Sequence, residues 1–180
     1  MIKRQVFYSF HYDNDVMRVQ QIRNMGVCDG SKTVCPNEWE HIKKTGDRFI
    51  KKWIDDHMQY RSCLIVLIGE HTAHQKWVKY EISKAWKERK PIFGIYIHNL
   101  KCPRKGTCPK GDNPFDKFLL RDGRTLSDII KCYDPNPDNA YLDIKYNINH
   151  WIEDAISQAK NQMRITKRYS ADREIKLKVA

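Results

Sequence analysis

The sequence predicts an α/β domain, a mostly parallel sheet with helices on both faces. Two observations carry that reading. The runs Cys63-Leu-Ile-Val-Leu-Ile-Gly69 and Pro91-Ile-Phe-Gly-Ile-Tyr-Ile97 are uninterruptedly apolar, as strands buried on both faces are. Around them, apolar residues recur at helical spacing, so strands alternate with helices. At 180 residues, the chain is the size of one domain.

Each element has its own signal. Lys3-Arg-Gln-Val-Phe-Tyr-Ser-Phe10 is rich in aromatic and β-branched residues and reads as the first strand. Asp13-Asn-Asp15 offers an N-cap to a helix carrying Val16, Val19 and Ile22 on one side. Residues 27–44 are polar and punctuated, interrupted by Trp39. Thr45-Gly-Asp47 then caps a second helix, with Phe49, Ile50, Trp53, Ile54 and His57 on its inner face. The apolar strand at 63–68 turns at Gly69-Glu-His-Thr72 into a helix over about 76–89. A strand at 91–97 completes a β-α-β unit. Residues 98–125 read as a long loop, and Ile129–Tyr133 as a fifth strand. Ile148, Trp151, Ile152, Ala155, Ile156 and Ala159 fall at helical spacing and give a terminal docking helix. The architecture is flavodoxin-like, and such sheets bind ligands outside the carboxyl ends of their central strands.

Charge and composition narrow the function. Lysine and arginine total 33 against 22 acidic residues, a net charge of +11. Residues 160–180 hold seven basic groups against Asp172 and Glu174, so much of the excess is in the tail. Nucleic-acid binding is not forced by charge, and no DNA-binding motif or aromatic–basic interleave supports it. Glu174–Val179 alternates, so the tail either closes as a short edge strand or frays. The apolar runs fall far short of the ~20 residues a bilayer span needs. No apolar h-region follows Met1-Ile-Lys-Arg-Gln, so the expected compartment is the cytoplasm.

Six cysteines without an export signal fit a reducing compartment rather than a disulfide framework. Cys28/Cys35 and Cys102/Cys108 are spaced more widely than the knuckles of zinc sites, so free thiols and no metal are expected.

The cleft rule points to two places. The first strand ends at Ser9-Phe-His11, and the third leads through Gly69-Glu-His-Thr72 into Lys76-Trp-Val-Lys-Tyr-Glu-Ile82. Glu81 lies about one turn into that helix, where the dipole favours an anion. Trp77 is four residues earlier on the same face. A carboxylate beside an aromatic platform suits a ribose diol under a stacked ring; a solvated dipole partner is the plainer reading of the same spacing. Glu70 is the rival carboxylate at the strand mouth.

Lys76–Ile82 after the buried strand resembles the W-V-x-x-E-I stretch around the catalytic glutamate of TIR NAD-cleaving domains. Val6-Phe-Tyr-Ser-Phe-His-Tyr12, Leu64–Gly69, Trp39–Asp47 and Asn113-Pro-Phe-Asp116 extend the similarity to the TIR-like proteins of the Thoeris anti-phage defence system. It spans about residues 4–120. The insert at 101–110 and the basic tail fall outside that pattern. The resemblance implies a TIR-like domain over 1–160 and a basic tail over 161–180.

The implied activity is cleavage of NAD⁺, as substrate rather than cofactor, to a cyclic ADP-ribose isomer. That diffusible product activates a partner effector, with a phage protein as a candidate trigger. Glu81 takes the catalytic role, and Ser9, Phe10, His11, Trp39, Trp77 and Tyr80 the substrate-binding ones. For the aromatics the alternative is core packing, for His11 a loop position, and for Ser9 a bond to the adjacent turn. A catalytically silent TIR-like module acting by association and a basic nucleic-acid-binding protein are the competing functions. A flavin-binding or receiver-type relative ranks last, since no acidic cluster or phosphate loop follows the first strand.

Overall fold

The computed structural model describes residues 3–30, 44–166 and 175–177. Its main sheet has five parallel strands: β1 (Gln5–Ser9), β2 (Asp29–Gly30), β3 (Cys63–Ile68), β4 (Ile92–Tyr96) and β6 (Cys132–Tyr133). They lie in the order β2-β1-β3-β4-β6. That is the doubly wound arrangement, in which the winding direction reverses between β1 and β3. Ser9 pairs with Val66 at that reversal.

Among the described residues, four helices cover the sheet: α1 (Tyr12–Asn24), α2 (Asp47–Met58), α3 (Lys76–Lys87) and α4 (Ala140–Thr166). Two apolar cores result. On one side Val6, Tyr8, Ile65 and Leu67 pack against α1 and α4 through Val19, Ile22, Ile148 and Ile152. On the other, Phe7, Leu64, Val66 and Ile68 pack against α2 and α3 through Ile50, Ile54, Val78 and Ile82. All six residues of β3 are buried, because a parallel sheet covered on both faces has no wet side. Among the described residues, no helix is long and apolar enough to cross a membrane.

Several boundaries differ from the sequence expectation. Asp13-Asn-Asp15 does not cap α1; the helix begins from His11, and Asp15 is buried inside its first turn. The reason is a partner three residues on, the buried guanidinium of Arg18. At α2 the N-cap is Gly46, which has no side chain to bond. Phe49 is 59% exposed rather than inward, since Ile50, Ile54 and Met58 set the buried stripe. The 98–125 stretch contains a 3-10 turn, Pro114–Lys117, and β5 (Phe118–Leu120). The predicted strand at 129–133 shrinks to Cys132–Tyr133 at the sheet edge. In the tail, β7 (Ile175–Leu177) pairs antiparallel with β5, outside the main sheet.

Candidate active site

Strand alternation decides what faces what at the mouth of the sheet. Phe7 belongs to the α2/α3 core and Tyr8 to the α1/α4 core, so Ser9, in phase with Phe7, points toward α3. The helix supplies the matching phase. Val78, Ile82 and Ala85 form its buried stripe, and Glu81 falls on that stripe with 7% of its surface exposed. The expected solvated dipole partner is therefore a buried carboxyl beyond the first turn.

Ser9 and Glu81 meet there. Burial pushes the Glu81 carboxyl up to about 8, and the neighbouring Ser9 hydroxyl offsets only part of the rise. Ser9 lies beside the carboxyl but short of an aligned hydrogen bond, so Ser9 Oγ is left without one. No Lys, Arg or His among the described residues counters the charge of Glu81. At neutral pH it holds a proton, and a cation brought against it would favour the ionised form.

The opposite side of the mouth is built differently. The buried Asp15 accepts from Arg18 Nη1 at 3.0 Å through one oxygen, while Oδ2 has no hydrogen-bond partner. Burial still raises the Asp15 carboxyl, with Arg18 and, to a smaller extent, His11 and His71 opposing. Oδ2 lies against Gly69, where an added Cβ would sit 2.2 Å from it.

The remaining expected residues make their contacts with other side chains. Phe10 packs on the α1/α4 core and tilts against Tyr12 at 5.9 Å between ring centres. His11 meets His71 edge-on at 6.4 Å. Trp77 and Tyr80 form an edge-to-face pair at 6.1 Å, and the Tyr80 hydroxyl donates to Asp55 of α2 at 2.9 Å. Lys76 lies over the Trp77 ring at 4.9 Å and pairs with Asp47. Glu70 is partly exposed, with His71 Nε2 3.7 Å away. Trp39 lies outside the described residues. In the Asn113-Pro-Phe-Asp116 stretch, Asn113 caps a turn and Phe115 is fully buried.

The sequence pattern does not single out Asp15, Arg18 or Gly69 as site residues. A signal existed, since an acid and a base three positions apart share the face that carries Ile22. Among the described residues, no group of three or more His, Cys, Asp or Glu is placed to hold a metal ion. The described cysteines are free thiols.

A doubly wound parallel sheet with a buried glutamate at the switch point is an α/β architecture that a TIR-like domain fits. Residues 7–102 match the family described as Thoeris protein ThsB, TIR-like domain. A relative from Bacillus cereus (strain MSX-D12) is 36% identical over 131 residues, 68% of each chain, and is described provisionally as a cyclic ADP-D-ribose synthase, ThsB1. The chain belongs to the ThsB TIR-like family.

Proposed function

We propose that the protein cleaves NAD⁺ between nicotinamide and ribose and closes the ADP-ribosyl group into a cyclic ADP-ribose isomer. In this reading the product activates a partner effector during phage infection. The observation that carries the proposal is Glu81, a buried carboxyl at the sheet mouth with no countering cation among the described residues. The Bacillus cereus relative, provisionally described as a cyclic ADP-D-ribose synthase, supports the same product class.

The chemistry follows from charge. The pyridinium ring of NAD⁺ leaves as neutral nicotinamide, taking the C–N bonding pair with it, so no acid is needed to expel it. The positive charge passes to the ribose, and a fixed carboxylate beside that sugar stabilises it. In the free protein Glu81 is mostly protonated. The cationic nicotinamide riboside end supplies the missing counter-charge and lowers the carboxyl pKa. The site therefore favours a substrate that brings its own positive charge. Ser9, aimed at the same carboxyl, orients it or the ribose hydroxyls. Capture of C1′ by a nucleophile within the same molecule, with water kept out, gives the cyclic product.

The test is mass spectrometry of small molecules from phage-infected cells expressing the protein. Nicotinamide and a product lighter than ADP-ribose by one water are expected. Intact NAD⁺ pools and no such product in infected cells would overturn the proposal.

A further inference from the structure

We propose that Arg18 is a positioning residue that holds the 98–111 loop as the wall of the candidate site opposite Glu81. The inference rests on the NAD⁺-cleaving reading for its chemical consequence, and on geometry alone for the latch.

Arg18 is 1% exposed and spends its guanidinium on three partners in two places. Nη1 donates to Asp15 Oδ1 at 3.0 Å within α1. Nε donates to the Leu100 carbonyl at 3.0 Å, and Nη2 to the Gly106 carbonyl at 2.9 Å. One planar side chain thus ties both arms of the loop to the helix that leaves β1. A lysine, with a single ammonium, cannot reproduce that fork. One turn on, Gln21 Nε2 donates to the Lys101 carbonyl at 2.9 Å.

The loop is ordered within itself as well. Cys102 and Gly106 exchange two backbone hydrogen bonds of 2.9 Å, and the Cys108 amide donates to the His98 carbonyl. Its far end rests on the exit of β3. A Cβ added at Gly111 would stand 2.1 Å from the Gly69 carbonyl oxygen and 2.9 Å from that of Glu70. Gly69 in turn abuts Asp15. Loop and strand end therefore meet backbone to backbone, and the helix reaches the strand end through the Asp15 side chain; this junction lies at the same carboxyl end of the sheet as Ser9 but on the other face from Glu81.

A buried ion pair is poor evidence of added stability, since apolar replacements of similar volume are often neutral or better. The effect of this pair lies in where it puts the loop. The family match covers residues 7–102, so it takes in the start of the loop and ends within it. A closed wall excludes water from the ribosyl cation. With the wall released, a water oxygen bonds to C1′ and loses a proton, giving linear ADP-ribose in place of the cyclic product.

Two variants reach the loop from opposite ends: Arg18→Lys weakens the latch, and Gly111→Ala lifts the loop from Gly69. Amide hydrogen exchange and the ratio of linear to cyclic product would be read for each. Exchange at the Gly106 and Cys108 amides should quicken at least ~10-fold in both, with the β3 amides unchanged. The linear-to-cyclic ratio should rise at least ~10-fold, and by more than total nicotinamide release changes. Loop exchange like wild type in both variants, or loss of β3 protection alongside it, overturns the latch. A quickened loop with an unchanged product ratio overturns the wall. If wild type releases no nicotinamide, the NAD⁺ reading fails on its own, and the wall is judged by whether ADP-ribose slows loop exchange; no slowing overturns it.

Discussion

Two buried carboxyls flank the mouth of the sheet, and they are treated in opposite ways. Asp15 has a guanidinium at 3.0 Å that also binds two loop carbonyls. Glu81 has a serine hydroxyl and no countering cation among the described residues. Burial raises both, but only Asp15 has a positive neighbour opposing it. The difference separates construction from chemistry. A carboxylate already paired inside the protein fixes geometry; in the proposed function, one left uncompensated takes up a charge that arrives with the substrate.

The largest expected effect breaks the Glu81 side. Glu81→Gln keeps size and removes charge, so nicotinamide release should fall by at least ~10²-fold, as loss of one preorganised electrostatic contact does. NAD⁺ binding should weaken less, because the lost interaction belongs mainly to the transition state. Glu70→Gln, at the partly exposed carboxylate, serves as the control. If Glu70→Gln abolished release while Glu81→Gln spared it, the two carboxylates would have to be exchanged in this account.

The next effect is on stability. The folded pKa of Glu81 is raised above the ordinary 4.5 to about 8. Its contribution is therefore fully present below about pH 4.5 and lost as pH climbs through about 8. Glu81→Gln removes that loss. At pH 9 the variant should be more stable than wild type by on the order of a few kcal/mol, and at about pH 4 the difference should almost vanish. Melting curves at the two pH values decide it; equal shifts at both would show that Glu81 is not desolvated.

On the Asp15 side the expected damage is structural. Gly69→Ala places a methyl group against the Asp15 carboxylate and should cost about 1–3 kcal/mol by overpacking. Denaturant unfolding measures it, and a neutral result would mean the helix and strand end are not in close contact. The smallest effect belongs to the periphery. Deleting residues 170–180 removes β7, whose partner β5 is outside the main sheet. Nicotinamide release per folded molecule should stay near wild type; its loss in a folded truncation would tie the tail to the site.

The sequence is legible where one force dominates. The apolar runs of β3 and β4 could only be buried strands, and both lie within about a residue of where periodicity puts them. Glu81 could be located but not its surroundings. An acid near a helix start reads as a solvated dipole partner, and only the tertiary phase set by Val78, Ile82 and Ala85 turns it inward. Asp15 failed for a related reason. Short acidic residues before a helix usually cap it, yet here Arg18 draws Asp15 into the interior. The 98–111 loop was illegible as a wall, because its place depends on contacts to Arg18, Gln21 and Gly69 far away in sequence.

The most direct test is the pH dependence of nicotinamide release, measured as kcat/KM and kcat separately. The first reports the free protein and the second the substrate complex. An uncompensated Glu81 predicts that kcat/KM rises with pH through a midpoint near 8, while kcat rises through a distinctly lower one. A kcat/KM profile flat from about pH 6 to 9, or the same midpoint in both parameters, would contradict the claim that the substrate's own charge ionises this carboxyl.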